Sequence, residues 1–165
     1  MATVLSPFEA RDAQVRGERT ITCRVATTPL EREIHFRIRH EVFVAEQGFF
    51  SSSDRDERDD DPATILVLGC CGRVAAGAVR LYPRGRAGEW KGDRLAVLPR
   101  FRRYGVGRPL VRFAVRTASE RGGDVMVARV QVQNVGFFEH LGWHRRGEAA
   151  EYLGRTHQAM AIGLS

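Results

Sequence analysis

Lysine is almost missing from this chain of 165 residues: Lys91 is the only one, so 25 of the 26 basic residues are arginines. Cysteine is also sparse. The odd set Cys23, Cys70 and Cys71 offers neither a disulfide framework nor a metal-ligand spacing, so all three read as small buried apolar side chains. No apolar run approaches the roughly 18 residues of a membrane span, which removes a membrane-embedded function. The first twenty residues have neither a basic n-region nor an apolar h-region, so no secretory leader and a cytoplasmic location are expected. A Walker loop would need Gly-Lys-Ser/Thr, and a dinucleotide GxGxxG loop would need Gly or Ala at 110, where Leu110 stands.

What is present fits one ordinary domain. With 43% apolar and 28% charged residues, a chain of this length can bury roughly 68–70% of its unfolded surface. Residues 1–20 lack periodicity and read as a loosely ordered arm, with the folded domain over 21–165. The net charge of +6, carried by arginine, suits a polyanion. Nucleic acid is not favoured, because no reading motif accompanies the charge. A phosphorylated cofactor is the other candidate.

Along the chain, ITCRVA alternates as a strand. Thr28, Pro29 and Glu31 then form an N-cap, an N1 proline and a capping-box acid. Leu30, Ile34, Ile38, Val42 and Ala45 are the expected buried stripe of the helix that follows, which ends near Gln47–Gly48. SSSDRDERDDDP reads as a solvated loop too polar for the core. Its six acids from Asp54 to Asp61 match no calcium-loop register, but they would favour a cationic amine if they bordered a cleft. ATILVLGC and VAAGAVRLYP form a hairpin about Gly72, and DRLAVLP ends another strand. Gly105 to about Arg121 turns helical, with Gly122 as its stop. DVMVARVQV, a short helix VGFFEHLG and closing strands around WHRRGEAAEYL and HQAMAIGL complete an α/β (α+β) pattern. The expectation is one twisted mixed sheet of about six or seven strands with helices on both faces.

The chemistry concentrates in RLAVLPRFRRYGVGRPLVRF. Arg102 to Gly107 spell RxxGxG between a strand and a helix, where glycines allow φ > 0 and the helix start offers unpaired N–H groups to an anion. Arg100, Arg102, Arg103 and Arg108 surround that point, and a pyrophosphate suits it. LAVLPRFRRYGVG followed by QNVGFFEHLGW resembles the two acetyl-CoA modules of the GNAT superfamily of N-acetyltransferases. RHEVFVAEQGFF, the acidic loop and HQAM are similar to a bacterial branch described as nitrogen-starvation N-acetyltransferases. The R..VF pattern also resembles, more distantly, the acyl-homoserine-lactone synthases.

The resemblance implies direct acetyl transfer from acetyl-CoA to a primary amine of a small molecule or peptide, with no metal. It also implies that Leu95, Ala96 and Val97 bond the pantetheine arm and that Arg102, Arg103, Tyr104, Gly105, Val106, Gly107 and Arg108 hold the pyrophosphate. Asn134, Phe137 and Phe138 would line the opposite wall. Phe138 stands where many members carry a proton-donating tyrosine, which leaves Tyr104 or Tyr152 as substitutes. Pro109 is expected to remodel the turn slightly. Glu46 and His157 are the two candidates for the base that deprotonates the amine. An acyl-homoserine-lactone-type synthase and a catalytically weak acyl-CoA sensor remain alternatives, and a homodimer is left open.

Overall fold

The structure, a computed structural model, describes residues 20–165. The arm expected over residues 1–20 therefore lies, but for Thr20, outside the described residues. The strands are β1 Ile21–Val25, β2 Ile65–Cys71, β3 Val74–Pro83, β4 Glu89–Val97, β5 Val125–Gln131, β6 His144–Arg145, β7 Ala150–Tyr152 and β8 Arg155–Gly163. They form one eight-stranded sheet of order β1-β2-β3-β4-β5-β8-β6, with β7 also on β8. The count exceeds the six or seven expected because the closing segment breaks into the two- and three-residue strands β6 and β7, too short to show an alternating pattern. Every pairing is antiparallel except β4 with β5.

Helices cover both faces. α1, Pro29–Arg39, lies on one, while α2, Gly107–Glu120, and the short α3, Val135–His140, lie on the other. Central strands are buried on both sides, so alternate residues of β2 enter different cores. Ile65 and Val67 pack under α2 with Leu110, Val111 and Ala114, whereas Leu66 and Leu68 pack under α1 with Phe36, Ile38 and Val42. α1 starts as its sequence dictates, with Thr28 and Glu31 closing a capping box and Pro29 in the first turn. Among the described residues no helix is long and apolar enough to cross a membrane.

Two expectations need correction. The α1 stripe holds at Ile38 and Val42, but Leu30 is 68% exposed and Ala45 is exposed. Leu30 sits in the first turn, and beyond Arg39 the helix continues as a π-helix, His40–Glu46, whose wider turns break the 3.6-residue register. The acidic loop is only partly solvated. Asp54 and Asp59 are each 2% exposed, because Arg39 and Arg80, themselves fully buried, reach them from α1 and β3. Polar composition was a poor guide here because buried charges are tolerated once paired.

Candidate functional site

The site begins where the sheet comes apart. β4 and β5 pair only from Glu89↔Val125 to Lys91↔Val127, and beyond Gly92 and Ala128 they diverge. A bulge contributes to the divergence. Between Ala78↔Ala96 and Arg80↔Asp93, both Arg94 and Leu95 stand opposite Val79. Arg94 takes φ +52, a left-handed conformation costly for a side chain with a Cβ. Its guanidinium is anchored on Asp54, at 2.9 Å from the carbonyl and 3.1 Å from Oδ2, and lies 4.8 Å from the Phe50 ring centroid. The same cluster ties Arg39 to Asp54 and Asp59, and Arg80 to Asp56 and Asp93. The acids expected to attract a cationic substrate thus include three, Asp54, Asp56 and Asp59, already bound to arginines. Their charge braces the bulge rather than facing a ligand.

The divergence opens a cavity of about 150 Å³ that passes through the sheet. On the α2 side it is lined by Val111, Ala114, Met126, Phe138 and Trp143. On the α1 side Phe43, Phe49, Phe50, Lys91, Tyr152 and His157 line it. The π-helix and the turn after it deliver Phe43, Phe49 and Phe50, which connects an irregular backbone with the cavity wall.

Next to this opening, a 3-10 turn, Pro99–Tyr104, ends at Gly105 with φ +72, and α2 starts two residues later. A Cβ on Gly105 would meet nothing within 4 Å, so the space in front of the turn is free. No side chain caps α2 and no acid occupies its first turn, which leaves its leading amides and dipole available to an anion. Pro109, expected to remodel the turn slightly, lies inside α2. It falls in the first turn, where the N–H it lacks would have had no partner within the helix.

The remaining sequence-derived residues fall into three groups. Leu95, Asn134 and Phe138 line the cavity, and the Phe137 ring lies 3.5 Å from where a Gly107 Cβ would be, beside the glycine turn. Ala96 and Val106 are buried and Val97 packs on the α2 core, so these three can offer a ligand backbone rather than side chain. Arg103 and Arg108 are exposed at the turn, and the Tyr104 ring packs near Phe101, off the cavity lining.

The two candidate bases part company. Glu46 forms a bidentate ion pair with Arg102, at 2.6 and 2.5 Å. That pairing holds its carboxyl below the usual carboxylate range, which weakens it as a base. His157 is 7% exposed and lines the cavity. Its Nδ1 lies 2.9 Å from the Arg155 carbonyl, so that nitrogen carries the proton and Nε2 keeps the lone pair. Tyr152 meets the His157 ring edge-on at 5.3 Å. Sequence reasoning missed Lys91, Arg129 and the three phenylalanines of the wall, since they come from three separate segments. A signal for the ion cluster did exist: Arg39 shares a helical face with His35 and Val42, and an arginine on a buried stripe needs acids nearby.

A sequence model described as the acetyltransferase (GNAT) family matches residues 30–143. A Bacillus subtilis protein named as an acetyltransferase is 32% identical over 133 residues, covering 79% of this chain and 89% of its own. A crystal structure of an N-acetyltransferase candidate from Lactobacillus plantarum superposes with a TM-score of 0.79 at 20% identity, over 88% of this chain and 99% of that one. The CoA-dependent acyl-homoserine lactone synthase BjaI, solved with SAM and isopentyl-CoA, gives 0.71 at 20% identity, over 88% and 83%.

Proposed function

The chain belongs to the GNAT acetyltransferase family, and from that premise we propose that it moves an acetyl group from acetyl-CoA directly to the primary amine of a small molecule or peptide. The observation that carries this reading is the joint placement of the open β4 edge, the Gly105 turn and the through-sheet cavity. Acyl-CoA supplies the activated thioester. The β4 backbone from Leu95 to Val97, unpaired toward β5, offers hydrogen bonds to the pantetheine arm as an added strand would. The Gly105 amide is donated to the Arg102 carbonyl, so the amides of Val106 to Arg108, with Arg103 and Arg108 beside them, are the ones that face the diphosphate. Arg102 is committed to Glu46 and to the Val97 carbonyl, so its contribution requires exchange of that pair.

His157 Nε2 takes the proton from the attacking amine. The C–N bond forms as the thioester C–S bond breaks, and the sulfur leaves as thiolate. Phe138 has no proton to give, and Tyr152, a hydroxyl-bearing side chain of the cavity lining, protonates the thiolate in this reading. Glu46, tied to Arg102, acts on cofactor affinity instead of on the amine.

Gly105→Val tests the cofactor site. Its side chain would enter the free space before the turn, and its φ of +72 resists a β-branched residue. Calorimetry should register loss of acetyl-CoA binding while the thermal transition stays cooperative. Affinity equal to the wild type would remove the assignment.

A further inference from the structure

Two cations on the cavity wall form no ion pair among the described residues. In the adjoining ion cluster, which reaches the wall through Asp93 and Arg94, the charges are paired: Arg39, Arg80 and Arg94 hold Asp54, Asp56, Asp59 and Asp93. Lys91 on β4 and Arg129 on β5 line the same cavity and form no ion pair with any described residue. Arg129 lies over the Tyr152 ring, 4.7 Å from its centroid. The two share a face of the sheet: Lys91 pairs with Val127, two residues before Arg129, at the last rung before the strands part.

Counted together, four aspartates against three arginines leave the cluster one negative charge, held on Asp93 by Arg80 and Tyr82. Lys91 offsets it, and Arg129 leaves the wall positive. Burial, then the repulsion of Arg129, Arg84 and Arg80 against the pull of Asp93, holds the Lys91 ammonium below its ordinary value. An anion placed between Lys91 and Arg129 would relieve that repulsion. A positive wall also disfavours an ammonium, and so favours the neutral amine that acylation requires.

We propose that the acceptor is an amine that carries a carboxylate, such as an α-amino acid, and that Lys91 and Arg129 clamp that carboxylate while the amine faces His157. The inference rests on the acyltransferase reading. In the reaction the carboxylate is unchanged: the amine nitrogen gains the acyl carbon, its proton leaves through His157, and CoA departs as the thiol. Polyamines and other polycations are poor acceptors on this geometry.

The test compares kcat/KM for matched pairs, an amino acid and its primary amide, in the wild type, Lys91→Gln and Arg129→Gln, with CoA affinity followed by calorimetry. Comparing the acid-to-amide ratio between proteins cancels the different basicities of the two amines. Each variant should lower the ratio about tenfold through KM for the acid, with CoA binding preserved. Arg129 is exposed, so its variant keeps its fold even if Lys91→Gln does not. Unchanged ratios beside normal CoA binding overturn the clamp alone, as does a wild type that uses polyamines ahead of amino acids. An equal fall in kcat for acid and amide in a folded Lys91→Gln protein would assign Lys91 to proton handling and overturn it too. A wild type that neither binds CoA nor releases it with any amine overturns the acyltransferase reading and the clamp together.

Discussion

Asp59→Asn is the most informative single change to the scaffold of the cleft. The Asp59 side chain is 1% exposed and accepts hydrogen bonds from Arg39 Nη1 at 2.7 Å, Arg39 Nη2 at 3.0 Å and the Asp56 amide at 3.1 Å, with Arg80 Nη1 at 3.1 Å. Asparagine keeps the shape but removes the charge and turns an NH₂ group toward a guanidinium. Breaking a buried pair costs about 3–5 kcal/mol. Arg39 keeps Asp54, and Arg80 keeps Asp56 and Asp93, so the loss should fall near the lower end, about 3 kcal/mol. With a urea slope of about 2 kcal/mol/M, the midpoint should drop by roughly 1.5 M. Burial pushes the Asp59 carboxyl up, but the bonds and charge of Arg39, the Asp56 amide and Arg80 outweigh it and hold the group well below the ordinary carboxylate range. A folded value depressed below the unfolded one gives stability that is complete above the unfolded value near pH 4, to about one unit, and lost as pH falls toward the folded value. The gap between wild type and variant should therefore be full at pH 7 and narrow below about pH 4. Urea titrations followed by Trp90 and Trp143 fluorescence at pH 7, 4 and 3 measure it. A difference under about 1 kcal/mol at pH 7, or one that widens in acid, would refute the reasoning.

Four further substitutions separate the catalytic roles. His157→Gln should lower kcat about 10²-fold with little effect on the KM for acetyl-CoA, and steady-state kinetics with a parallel CoA titration would expose the opposite split. Tyr152→Phe should lower kcat by a similar factor, and adding Phe138→Tyr, whose ring lines the same cavity, should restore part of it. A double variant no faster than Tyr152→Phe would mean that thiolate protonation does not limit turnover. Glu46→Gln should leave kcat within about threefold and lower the KM for acetyl-CoA, since it frees Arg102 for the diphosphate. A large fall in kcat would return Glu46 to the role of base.

Local signals made much of the fold readable. The capping box at Thr28 and Glu31, the hairpin about Gly72, the glycine stop at Gly122 and the alternation of β1 each depend on neighbours a few residues apart, and each lies where its pattern puts it. The glycine turn was legible for the same reason, because RRYGVG sits between a strand and a helix within one short segment. The acidic loop was misread, since a carboxylate's exposure depends on whether a distant arginine reaches it. Arg39 and Asp59 stand twenty residues apart, and although Arg39's place on a buried helical face calls for acids nearby, no spacing says which acids meet it.

The sequence by itself determined the order of elements, the family resemblance and the glycine turn before α2, all of which follow from short-range periodicity and backbone demands. Only the tertiary structure decided that β4 and β5 part after Lys91, that Arg94 is held at φ +52 on Asp54, and that Lys91, Arg129, Tyr152 and His157 line one cavity. The physical reason is that sheet register, buried ion pairing and cavity shape are fixed by non-local packing. Segments from residues 43 to 157 meet there, and no spacing along the chain records the meeting.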